Sequence, residues 1–148
     1  MVSHRRQVLV GAPPERVWEL VGDPRTYPEW WPVVVSVDGE RLEDGLEYVQ
    51  VTKTPMGGVE STYGIDVLED MRELRAHCRL SGSFVHWRLT EARDDTFVEV
   101  ELGLDPTAKP LKYRPLGSRY ARPLYRRWTD EAIEALREAL ARRTGQAP

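Results

Sequence analysis

The chain has 148 residues, 41% hydrophobic and 30% charged, with a formal net charge of −3, which fits one domain around a single core. The longest aliphatic run, Val33 to Val35, falls far short of the roughly 20 apolar residues of a membrane span. The start carries no signal-peptide pattern and the lone Cys78 excludes an intrachain disulfide, so a cytoplasmic protein with one domain over 1–148 and no integral membrane association is expected.

In chain order, residues 3–10 read as a first strand, closed by Gly11. Pro13 and Pro14 open a short helix, because a proline in the first turn gives up no helical hydrogen bond. Val17, Leu20 and Val21 share one face of it, with Trp18 beside them, and Gly22 ends it. Asp23-Pro24 is a second helix start, a side-chain cap followed by proline. That helix should stop early, since Tyr27 precedes Pro28 and is pushed from helical geometry. Trp30 and Trp31 then fall on an extended link, where neighbours point opposite ways, so one of the two is expected to face the core.

From residue 32 to 104 the period changes to two. Val59, Ser61, Tyr63, Ile65 and Val67 form one row; Leu74, Ala76, Cys78 and Leu80 the next; then Val85, Trp87 and Leu89, and Val98, Val100, Leu102 and Leu104. This is antiparallel sheet with one wet face. A turn at Glu69-Asp70 places Ile65 opposite Leu74, one at Ser81-Gly82 places Cys78 opposite Val85, and one near Arg93-Asp94 places Leu89 opposite Val98. The second register also sets His77 across from His86. Two more strands in 33–53 join through Glu43-Asp44-Gly45, their inner face open, and the TPMGG stretch at 54–58 reads as a longer loop.

After the PTAKPLKYRP segment a helical pattern runs to about Arg143, with Leu116, Tyr120, Leu124, Trp128, Leu136 and Leu140 as its apolar stripe and Pro123 inside it. A twisted sheet with one apolar face needs a cover, and this helix is the element long enough to supply it. A curved sheet and a straight helix diverge somewhere, and a cavity remains there.

The stretch APPERVWELVGDPRTYPEWWP, the later Gly45, the segment WRLTEARDDTFVEVEL and the terminal helix resemble the START-related superfamily, in particular its polyketide cyclase/dehydrase-like branch. The resemblance spans nearly the whole chain. It implies an α+β helix-grip fold: a curved antiparallel sheet of about six or seven strands wrapped around a long C-terminal helix, with two short helices after strand 1. It also implies a deep hydrophobic cavity between sheet and helix, for a lipid, polyketide or aromatic guest. Members range from polyketide cyclases through lipid binders to chaperone- or ribosome-associated modules, so enzymatic, binding and protein-partner roles all stay open.

The expected wall of that pocket is Tyr63, Cys78, Trp87, Val100, Tyr120 and Leu124, with Trp31 at its end and PTAKPLKYRP and TPMGG at its mouth. A pocket of this class holds about 300–1,000 Å³. For aldol cyclisation the candidate catalytic donors are Tyr63 and Tyr120, with Ser61 a weaker one; no inward Asp, Glu or His accompanies them. Cys78, on the apolar face, is expected to be a small hydrophobe with a raised pKa. His77 and His86 sit among Arg75, Arg79 and Arg88, the wrong electrostatics for a cation, so no metal and no cofactor is expected. Residues 107–148 carry 10 Lys+Arg against 4 Asp+Glu, but without an aromatic, glycine-rich or finger motif they read as a solvated helix face, with no nucleic acid bound. A monomer or homodimer with a small hydrophobic ligand is the resulting expectation.

Overall fold

The computed structural model describes residues 2–39, 45–55, 57–105 and 118–145, with the side chains of 118–121 and 143–145 left aside. The elements run β1 (Val2–Val10), α1 (Pro14–Val21), a 3-10 turn (Pro24–Thr26), α2 (Tyr27–Trp30), β2 (Val34–Asp38), β3 (Glu47–Thr54), β4 (Gly57–Glu69), β5 (Glu73–Cys78), β6 (Ser83–Ala92), β7 (Asp95–Leu104) and α3 (Ser118–Gly145). The seven strands form one antiparallel sheet in the order β1-β7-β6-β5-β4-β3-β2. This is the helix-grip arrangement expected of the sequence: α3 lies along the apolar face of the sheet, packed on β1 and β7, and meets α1 and α2.

The proline-rich entry is tied by its own polar atoms. Asp23 caps the turn by accepting from the Arg25 backbone N–H at 3.0 Å. Thr26 Oγ1 donates to the Leu20 carbonyl and accepts from Trp30 Nε1. Tyr27 is helical at φ −52° and ψ −40°, against the expectation that Pro28 would exclude it. Its ring is 1% exposed and its hydroxyl donates to the Val21 carbonyl at 2.6 Å, and that burial outweighs the local clash before proline. Trp30 therefore ends a helical turn rather than lying on an extended link. Both tryptophans are buried, their rings stacked at 5.7 Å, where one alone was expected inside.

The hairpins correct two of the three registers. Leu89 does pair with Val98 and Trp87 with Val100. Ile65, however, pairs with Ala76 and Tyr63 with Cys78, because the turn takes in Asp70 to Arg72 and a bulge lies between Ile65 and Val67. Ala76 pairs with Val85 and Leu74 with Trp87, because the next connection extends from Arg79 to Gly82. His77 consequently faces Phe84, not His86, and the histidines part: His77 Nδ1 meets Asp66, while His86 Nε2 lies against the Glu73 carboxylate. The TPMGG loop is instead a tight hairpin in which Thr54 pairs with Gly57. Bulges at Asp66 and between Val34 and Ser36 interrupt the ladders and add local twist to β4 and β2.

The buried residues of α3, among the described side chains, are Tyr125, Thr129, Ala132, Ile133, Ala135, Leu136, Ala139 and Leu140. Leu124 and Trp128 are only partly buried, and Leu116 lies outside the described residues. Steps of four overshoot a turn by roughly 40°, so a stripe read at that spacing alone drifts off the core, whereas mixed steps of three and four stay on it. Arg6 reaches Asp130 at 3.4 Å and Glu134 at 3.5 Å, holding this half of the helix to β1.

Candidate ligand-binding hollow

α3 packs on β1 and β7, and a hollow remains between the helix and the strands beyond. Tyr27, Trp31, Val33 and Val34 close one end of it; β3 supplies Gln50 and Thr52 and β4 supplies Tyr63; Ser83, Val85 and Leu102 form the floor; Tyr125 and Trp128 reach down from α3. Its free volume is about 40 Å³, against the 300–1,000 Å³ expected. That is room for roughly two or three waters. Five aromatic side chains occupy the space that divergence of sheet and helix creates.

Of the expected wall residues, the structure brings Trp31 and Tyr63 onto the hollow. Trp87 and Val100 are fully buried, paired across β6 and β7, with the Trp87 ring edge-on to Trp31 at 5.8 Å. Cys78 ends β5 opposite Tyr63 and is not among the lining residues. Leu124 faces an outer groove with Pro32, Pro55 and Trp128. The side chain of Tyr120 and the PTAKPLKYRP segment lie outside the described residues.

Gln50, Thr52, Ser83 and Tyr125 escaped sequence reasoning, and Trp128 is read there only as part of the helix stripe. A signal for two of them exists in β3, where Tyr48, Gln50 and Thr52 face inward and Val49, Val51 and Lys53 outward. Polar residues point into the protein there and valines point away, the inverse of an ordinary half-buried strand.

The chemistry of the hollow is that of neutral hydroxyls and an amide. Tyr125 donates to Ser83 Oγ at 2.8 Å, and Tyr63 also interacts with Ser83. Burial, with the neighbouring Cys78, raises Tyr63 well above the ordinary phenol range; burial likewise raises Tyr125. Both phenols therefore keep their protons at neutral pH and serve as donors. Gln50 is 8% exposed and gives one N–H to Thr52 Oγ1 at 2.9 Å. Trp31 Nε1 is buried with no hydrogen-bond partner among the described residues. Cys78 departs from expectation: burial pushes its thiol up, but the Ser81 hydroxyl, the backbone N–H groups of Ser81 and Leu80, and the Ser61 hydroxyl together bring it below the ordinary thiol value. Among the described residues no cluster of three metal-ligating side chains occurs, and no helix is long and apolar enough to cross a membrane.

Comparison with known proteins gives the geometry its context. The family described as polyketide cyclase / dehydrase and lipid transport matches residues 1–145. No curated protein matches the chain. A START superfamily protein from Mycobacterium smegmatis superposes with a TM-score of 0.77 at 15% identity, covering 95% of this chain and 97% of that one. A protein of Thermus thermophilus gives 0.74 at 16% identity, covering 98% and 99%. A polyketide-cyclase-like protein from Corynebacterium glutamicum gives 0.64 at 15% identity, covering 97% and 94%. At such identities the likeness is one of fold.

Proposed function

We propose that this chain, which belongs to the polyketide cyclase / dehydrase and lipid transport family, binds a small, mainly hydrophobic molecule between α3 and the sheet, in an expanded form of the hollow. The inverted face of β3 carries the reading. An amide on an inward face costs about 1–3 kcal/mol where it goes unpaired, and Gln50, 8% exposed, makes one hydrogen bond among the described residues, to Thr52. A core built for packing alone would place a valine there. Gln50, Thr52 and the Tyr63, Ser83 and Tyr125 hydroxyls suit a guest that is apolar in bulk and carries one or two oxygens.

A second reading, aldol cyclisation, draws on the same hydroxyls. Protonated Tyr63 could polarise a carbonyl of the guest, but a base must also take the proton beside it. Among the described residues lining the hollow there is no carboxylate or imidazole, which favours binding over turnover.

Burying about 300 Å² of guest at ~25 cal/mol per Å² gives about 7.5 kcal/mol gross, enough for micromolar affinity after entropic losses. Fluorescence titration with N-phenyl-1-naphthylamine, and competition of that probe by 2-naphthol, test the reading. Gln50→Leu should weaken 2-naphthol by up to about tenfold, the worth of one hydrogen bond, and leave the amine unchanged or tighter. If neither compound binds the native chain or a variant saturably, the reading is wrong.

A further inference from the structure

Two voids share a wall that is a pair of side chains. Val33 and Trp128 line the hollow of about 40 Å³ and also an open groove of about 440 Å³ on the surface between the β3–β4 hairpin and α3. The groove has Pro32, Pro55 and Leu124 as apolar walls and Lys53, Arg127 and Glu131 on its rim.

The aromatic residues that fill the hollow are not equally fixed. Tyr27 is bonded to the Val21 carbonyl, Tyr125 to Ser83 and Tyr63 is stacked on Tyr48 at 5.5 Å. Trp31 is wedged among Tyr27, Trp30 and Trp87. Trp128 differs. It is partly exposed, it meets Tyr125 edge-on at 5.5 Å, and among the described residues no hydrogen bond holds it. It also precedes the stretch of α3 that Arg6 holds to β1. Rotating this one indole outward opens the partition beside Val33 without disturbing a hydrogen bond among the described residues.

We propose that Trp128 is the door between groove and hollow, and that the joined site takes an anionic amphiphile. Its apolar body passes Trp128 toward Tyr63 and Ser83, and its anionic group stays outside on Lys53. The charge at the rim supports that orientation. Arg127 is already paired with Glu131 at 3.1 Å, while exposed Lys53 has no ion-pair partner among the described residues. This inference rests on the ligand-binding reading above and adds to it an entrance, a moving residue and a polarity.

The test uses two dyes that differ by one sulfonate: 1-anilinonaphthalene-8-sulfonate and N-phenyl-1-naphthylamine. Stopped-flow mixing with the full chain reads the association rate constant, and titration reads affinity. Trp128→Ala should raise the association rate of both dyes at least tenfold, and Trp128→Phe should raise it part of the way, which serves if the alanine variant folds poorly. Lys53→Gln should weaken the sulfonate about fivefold and leave the neutral dye unchanged. Equal association rates in the native chain and in the Trp128 variants would overturn the door while leaving a ligand site in place. Equal sulfonate affinity in Lys53→Gln would overturn the assigned polarity. Failure of both dyes to bind the native chain and the Trp128 variants would remove the ligand site itself, and the door with it.

Discussion

Tyr48 is 1% exposed, stacked flat on Tyr63, and its hydroxyl has no hydrogen-bond partner among the described residues. Burial, reinforced by Tyr27 and Tyr63 beside it, raises its pKa well above 10.0, and burial also raises those of Tyr27, Tyr63 and Tyr125. A phenol whose folded pKa is raised is held neutral by the fold. Below about pH 10 both folded and unfolded chains keep the proton and stability is complete; above it the unfolded chain releases protons that the fold retains, and stability falls. Thermal melts should therefore be flat with respect to these groups from pH 7 to 9 and decline above about 10. Tyr48→Phe should leave stability at pH 7 unchanged or raise it by about 1 kcal/mol, since it removes an unpaired polar atom, and should make the alkaline decline shallower. A loss of more than about 1 kcal/mol at pH 7 would mean that the hydroxyl has a partner.

Gly103 of β7 pairs with Ser3 of β1. A Cβ there would lie 2.6 Å from the Val2 carbonyl oxygen, 2.6 Å from Ser3 Cβ and 2.9 Å from the Phe84 ring. Backbone cannot give way as a side-chain end can, so Gly103→Ala should cost about 1–3 kcal/mol in chemical denaturation, read as a lower midpoint at unchanged slope. An unchanged midpoint would show that the two strands separate easily. Element order, the sheet and the covering helix were legible in the sequence because they follow from periodicity, which survives error. Two hairpin registers were displaced by two residues, and a displacement of two keeps every side chain on its face. Leu74, Ala76, Cys78, Val85 and Trp87 are thus inward as expected although their partners differ. Cross-strand pairs do not survive it, which is why the His77–His86 pair dissolved into separate contacts with Asp66 and Glu73.

At the scale of the molecule, one face of the sheet is an ion-pair surface and the other encloses the hollow. Arg5, Glu99, Arg88, Glu73 and His86 run in contact across β1, β7, β6 and β5, with Asp66 holding Arg75 and His77 beyond. That a helix and a bent sheet would part was deducible from their shapes. How far aromatic side chains would close the gap was not, because it depends on rotamers, which periodicity does not set. The fold presents Tyr125 to Ser83, a residue that spacing by fours passes over. The central claim is that the remaining space of about 40 Å³ opens around a guest. Native mass spectrometry of the chain purified without denaturation and offered N-phenyl-1-naphthylamine tests it most directly, compared with Val85→Phe, which puts a ring into the hollow. The account predicts a one-to-one complex with the native chain, released by organic extraction, and none with folded Val85→Phe. A native chain that stays at its own 17.0 kDa with the dye in excess, or a Val85→Phe variant that holds it equally well, would contradict it.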